Sequence, residues 1–231
     1  MNWAEHIDLY CERTDASLWS EPLNALSNLG FLLVAVVLWK RIAGRGRDLQ
    51  LLDGLIFAIG LGSLAFHTLA TRWAALLDIA FIALFVLVFH HRFQVRIGGA
   101  GRAWAWAGSA LFVALAALFV AATRALPPLP LNGSEIYLPP FVLLLWCATA
   151  ARQAQPATAR WLARAGGLFV ISLACRASDA LLCDIWPAGT HAGWHLVNAM
   201  VLYCCLRALL AGSAPPAPGQ AHRAQPQKGQ G

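Results

Sequence analysis

Ser63 and His67 stand four residues apart on one apolar stretch, and His191 and His195 stand four apart on another, so each pair projects from one face of a helix. Two imidazoles at i and i+4, joined by a third from a different helix, make a three-nitrogen set with one position left open. Catalytic Zn²⁺ needs this arrangement. Coordination lowers the pKa of a bound water from ~16 towards ~7 and produces a nucleophile at neutral pH. Asp78, eleven residues after His67, is the carboxylate available to take the water proton, and the Ser63 hydroxyl is available to donate to a developing oxyanion. Each residue also has a plainer reading. A lone histidine near a helix end ordinarily makes a hydrogen bond, Ser63 alone can bond back to its own helix, and Arg176 and Asp179, at i,i+3, read as a structural ion pair. His6, His90, His91 and His222 are given no role.

The elements that must position these groups follow from composition. The chain is 59% hydrophobic and 12% charged, against roughly 25% charged in an ordinary soluble domain. This excludes a soluble enzyme and indicates a polytopic membrane protein. The net charge of +6 fits basic loops retained on the cytoplasmic side, and no nucleic-acid partner is implied. Seven apolar runs come close to the ~20 residues that cross a ~30 Å hydrocarbon core: Pro22 to Lys40, Leu51 to Leu69, Ala74 to His90, Ala103 to Thr123, Ile136 to Arg152, Leu162 to Leu182 and His191 to Leu210. Backbone groups in lipid must be satisfied internally, so the expected fold is all-α with seven transmembrane helices. Residues 1–21 form an acidic N-terminal segment, 22–211 the helical domain, and 212–231, rich in Pro, Gly and Gln, a tail expected to be disordered.

Thirteen of the seventeen Lys and Arg residues fall in loops on one side of this frame. Arg13, Arg72 and Arg124 fall on the other, and Arg176 lies within the sixth span. The N-terminus is therefore expected outside and the C-terminus inside. The second span then ends outside, while the third and seventh begin there, so His67, Asp78, His191 and His195 converge on one depth. Fifteen of the seventeen basic residues are Arg, the habit of a GC-rich genome, which points to a bacterial inner membrane with the site towards the periplasmic leaflet. Cys147, Cys175, Cys204 and Cys205 lie within spans as small packing residues, and Cys11 and Cys183 lie outside.

Several motifs resemble the alkaline ceramidase family, within the heptahelical membrane hydrolases that include the adiponectin receptors. They are Tyr10-Cys11-Glu12, the run Glu21-Pro22-Leu23-Asn24-Ala25-Leu26-Ser27-Asn28, Gly62-Ser63-Leu64-Ala65-Phe66-His67 followed by Asp78, and His191-Ala192-Gly193-Trp194-His195. The resemblance runs from about Ile7 to Leu210. It implies an intramembrane Zn²⁺ held by His67, His191 and His195, with Asp78 as general base and Ser63 on the oxyanion side. It further implies a membrane-lipid substrate, ceramide or a related N-acyl lipid, hydrolysed at its amide bond to a fatty acid and an amine.

It also implies a disulfide between Cys11 and Cys183 and an N-terminal Ca²⁺ site, to which Asp8, Tyr10, Glu12, Asp15 and Glu21 are assigned. Glu12 and Glu21 match the family's acidic positions. The segment between them is two residues shorter here, Leu9-Tyr10 replaces an Asp-Trp pair, and Thr14 replaces an Asn. The plainer reading of these acids is a solvated cap that favours translocation. Two other function classes compete with the amidase. A transporter or proton relay would need ionisable groups spread across the membrane, and a receptor with a structural zinc would close the fourth metal position with protein.

Overall fold

The structure, a computed structural model, describes residues 2–125, 127 and 131–212. Its elements are α1 (Pro22–Ser27), α2 (Leu29–Ile42), α3 (Arg47–Leu69), α4 (Arg72–Arg96), α5 (Arg102–Arg124), a 3₁₀ turn (Ser134–Tyr137), α6 (Leu138–Ala150), α7 (Pro156–Leu182) and α8 (His191–Gly212). No named strand occurs among the described residues. With α1 and α2 taken as one span, Pro22–Ile42, six helices are long and apolar enough to cross a membrane, and Ser134–Ala150 is a shorter apolar seventh. The 13 residues of α6 and the four of the 3₁₀ turn together rise about 28 Å, close to the hydrocarbon thickness.

Helix limits differ from the hydropathy reading where charge begins. α3 starts at Arg47 rather than Leu51, α4 continues to Arg96, and α7 starts at Pro156 rather than Leu162. Asp48 and Arg160 lie beyond the apolar runs and yet within helices. Asp48 is held by Arg96, whose Nε and Nη2 both donate to its carboxylate at 2.6 Å. Gly212 closes α8 instead of opening the tail, and residues 213–231 lie outside the described residues.

The first span is broken for a local reason. Ser27 Oγ donates to the Asn24 carbonyl (2.7 Å) and so does Asn28 Nδ2 (2.8 Å), while the Asn28 amide turns to Ala25 (3.3 Å). Side chains thus replace the backbone donor that would have carried α1 into α2. The fully buried core joins Leu49, Leu52, Ile56 and Ile59 of α3 to Leu38 and Ile42 of α2 and Leu206 and Leu209 of α8. α5, in contrast, buries only Ala105 and Ser109. An apolar helix surface left bare in this way belongs against acyl chains.

Two glycines set approaches that matter for the site. A Cβ on Gly62 would meet the Phe81 ring at 2.9 Å and the Leu77 carbonyl at 3.3 Å, so its absence lets α3 and α4 close and brings Ser63 beside Asp78. Gly189, at φ +65°, turns the chain into α8, and a Cβ there would strike Asp179 Oδ1.

Residues 2–21 lie across one end of the bundle. Ile7 N donates to Ala70 O (2.7 Å), Arg72 N to Glu5 O (3.1 Å) and Trp73 N to Trp3 O (3.2 Å), around an isolated antiparallel bridge between His6 and Thr71. A Cys11–Cys183 disulfide, with Cα atoms 5.2 Å apart, fastens the segment to the far side of that end. Its 172-residue sequence separation sets an upper limit of about 5 kcal/mol on its chain-entropy stabilisation, less where spans stay inserted. Cys11→Ser is expected to lower the thermal unfolding midpoint in detergent by several degrees, and reductant to lower the wild-type midpoint equally while leaving the variant unmoved.

Candidate metal centre

His67 on α3 and His191 and His195 on α8 are all buried, at 0%, 2% and 2% exposure. One nitrogen from each lies within 4.8 Å of the other two, and this is the group of three or more His, Cys, Asp or Glu side chains able to share an ion among the described residues. The ring centroids are 4.5 to 5.1 Å apart. His67 Nε2 and His191 Nδ1 are buried without a hydrogen-bond partner. An unpaired buried nitrogen costs roughly 1–3 kcal/mol, and a cation shared by the three rings removes that cost. The donor set therefore fits a metal, and neutral imidazole nitrogens suit Zn²⁺.

Each ring is turned by a partner on its other side. His67 Nδ1–H donates to Glu21 Oε2 at 2.5 Å, which leaves Nε2 as the lone-pair nitrogen. Glu21 is itself held by Asn24 Nδ2 at 3.0 Å and by Arg13 Nε at 2.5 Å. Burial works to raise the pKa of Glu21, but the His67, Asn24 and Arg13 contacts outweigh it and hold the carboxyl below its ordinary value. His195 Nδ1–H donates to Ser27 Oγ (2.7 Å), whose hydroxyl in turn donates to the Asn24 carbonyl (2.7 Å), so Nε2 of His195 is also the lone-pair nitrogen. His191 is fixed differently. Its ring stacks on Tyr10 at 3.6 Å, and Asp179 Oδ1 accepts the amides of Thr190 (2.7 Å) and His191 (3.0 Å), holding the start of α8.

Ser63 Oγ lies 3.4 Å from His195 Nε2, and Asp78 on α4 faces Ser63, His67 and Arg176. The expected Arg176–Asp179 ion pair is not formed. Asp179 is occupied by the α8 amides and by Cys11 N (3.1 Å), whereas Arg176 Nη1 donates to Asn132 O (2.7 Å) and Ser134 Oγ (3.0 Å), with its guanidinium 5.2 Å from the Tyr137 ring. Residues three apart share a helix face, but packing against different loops separated them. His90 and His91 are buried at the far end of α4, packed on Phe112 and Trp106 and away from the three histidines.

Among the described residues, the acids assigned to calcium do not form a group of three whose oxygens could share an ion. Both Glu12 oxygens accept helix amides, Leu23 N at 2.6 Å and Asn24 N at 2.8 Å. Glu21 is committed to His67, Asn24 and Arg13, Asp15 Oδ1 accepts Ser17 N (2.8 Å), Asp8 is exposed, and the Tyr10 ring covers His191. Sequence reasoning missed the roles of Glu21 on His67 and of Ser27 on His195. The usable signal was the polar series Asn24, Ser27 and Asn28, at i, i+3 and i+4 inside an apolar span.

Beside the polar cluster, an apolar groove of about 460 Å³ runs between α4, α5 and the start of α6. Ile79, next to Asp78, and Tyr137, beneath Arg176, stand at its polar end, and Val86, Phe112 and Val120 line its length.

A search of curated proteins finds none that matches the chain. Among protein-family models, the one described as Ceramidase matches residues 7–214, which takes in most of the N-terminal segment, all three histidines, Ser63 and Asp78. Over that length the chain belongs to the ceramidase family.

Proposed function

We propose that this protein is a zinc-dependent intramembrane amidase that hydrolyses ceramide or a related N-acyl lipid to a fatty acid and an amine. The observation that carries the reading is the buried set of three histidines, two of whose nitrogens lack a partner, beside a serine and an aspartate. Family membership supports a hydrolase acting on amide bonds. The groove starting at Ile79 and Tyr137 has the apolar lining for an acyl chain whose amide would rest near Asp78.

A zinc ion held by His67, His191 and His195 would supply Lewis acidity and a water of lowered pKa. Around it the chain's own groups divide the work. Asp78 takes a proton from the attacking water at its carboxylate and delivers it to the departing nitrogen, so the amine leaves neutral. Ser63 Oγ–H donates to the carbonyl oxygen as negative charge develops there. Glu21 and Ser27 hold the His67 and His195 rings in the tautomer that presents Nε2. Arg176, fixed by the loop at Asn132 and Ser134, holds positive charge near Asp78.

We take the metal-centre end of the bundle as the outer, periplasmic one. The basic residues lie overwhelmingly towards the opposite end, in the last or first turns of the helices and the loops between them, and a disulfide at the metal-centre end suits an oxidising compartment.

Detergent-purified protein is expected to contain about one zinc per chain by elemental mass spectrometry, and His195→Ala to lose it while the bundle stays folded. Ser63→Ala and Asp78→Asn should each lower fatty-acid release from N-acyl sphingoid lipids by about 100-fold or more with zinc content unchanged. A folded, zinc-loaded wild type that releases no fatty acid from any N-acyl lipid would favour a structural metal instead. Glu21→Gln and Ser27→Ala are expected to weaken zinc affinity about 10- to 100-fold in chelator competition.

A further inference from the structure

Arg13 is a charged residue with a side chain only 3% exposed, and everything its guanidinium touches is an oxygen. Nε donates to Glu21 Oε1 at 2.5 Å, Nη1 to the carbonyls of Asp15 (3.0 Å) and Ser17 (3.3 Å), and Nη2 to the carbonyl of His67 (3.0 Å). A carboxylate and three backbone carbonyls drawn from two separate parts of the chain form the kind of shell that holds a hard divalent cation. Here a covalently attached cation fills it. The planar fork of an arginine carries five donors in fixed directions and keeps its charge at any accessible pH, so it can serve several oxygens at once.

The remaining acids of the segment add no second shell. Glu12 spends both oxygens on the amides of Leu23 and Asn24, and Asp15 turns its side chain to Ser17. The calcium that family resemblance would place at Glu12 and Glu21 therefore does not fit the arrangement of this chain. We propose that Arg13 takes the place of such an ion: a built-in cation that neutralises Glu21, ties the 15–17 turn to the end of α3, and so positions His67 for the metal centre without calcium. The proposal rests on the metal centre described above, not on the identity of the substrate. Arg13 touches none of the three imidazole rings and no reacting atom; it is a positioning residue, acting through Glu21 and through the His67 carbonyl.

The test uses full-length, zinc-loaded protein in detergent, desalted into calcium-free buffer and titrated with Ca²⁺. Calorimetry and elemental analysis should find no stoichiometric calcium, and the thermal midpoint should not move up to millimolar Ca²⁺. Arg13→Ala should lose zinc to a competing chelator at about 10-fold lower chelator concentration than wild type, or lower still, measured well below its own unfolding midpoint. Arg13→Lys, which keeps the charge but cannot reach all four oxygens, should fall between the two and remains informative if Arg13→Ala does not fold. One calcium bound per wild-type chain, a midpoint raised by Ca²⁺, or unchanged zinc affinity in folded Arg13→Ala or Arg13→Lys would overturn the proposal. None of these readouts depends on hydrolysis, so a failed amidase assay and a failed role for Arg13 give different results.

Discussion

A neutral imidazole has one nitrogen that donates its hydrogen and one that offers a lone pair, and in a buried site which is which is decided by whatever sits behind the ring. Glu21 makes that choice for His67 from the N-cap of the short helix that opens the first span, and Ser27 makes it for His195 from that helix's last residue. Asn24, between them, donates to Glu21 and accepts from Ser27. One short helix with its N-cap thus orients two rings carried on two other helices. The break between α1 and α2 arises from the same contacts, because the Asn24 carbonyl accepts the side chains of Ser27 and Asn28.

The N-terminal segment extends this logic outward. Tyr10 covers the His191 ring, Arg13 braces Glu21, and the Cys11 amide joins the Asp179 carboxylate that also holds the start of α8. The segment is anchored on one flank by backbone pairing with the α3–α4 turn and on the other by its disulfide. Twenty residues with little regular structure are thereby made a fixed roof over the three histidines. In a low-dielectric site, such preorientation matters because misaligned dipoles are not corrected by water.

The bundle beneath is asymmetric in its packing. α3 and α8, which carry the histidines, are the most enclosed spans, while α5 shows nearly all of its surface. The most enclosed helices carry the histidines, and the least enclosed one borders the apolar groove.

The spans, their number and the convergence of His67, His191 and His195 were all readable from residue types and spacing. Apolar length, i,i+4 geometry and alternation of span direction are local or additive properties of a chain in a membrane. Where reading failed, it failed over partners. Arg176 and Asp179 stand three apart on α7, yet each is claimed by a different loop, and nothing in the acidic run around Glu21 told of its contacts with Arg13 and His67. Charge and spacing along one helix say which faces a residue can reach. Which of several oxygens or donors meets it there depends on how distant segments pack, and for a buried charge that packing decides between an ion pair, a helix cap and a metal shell.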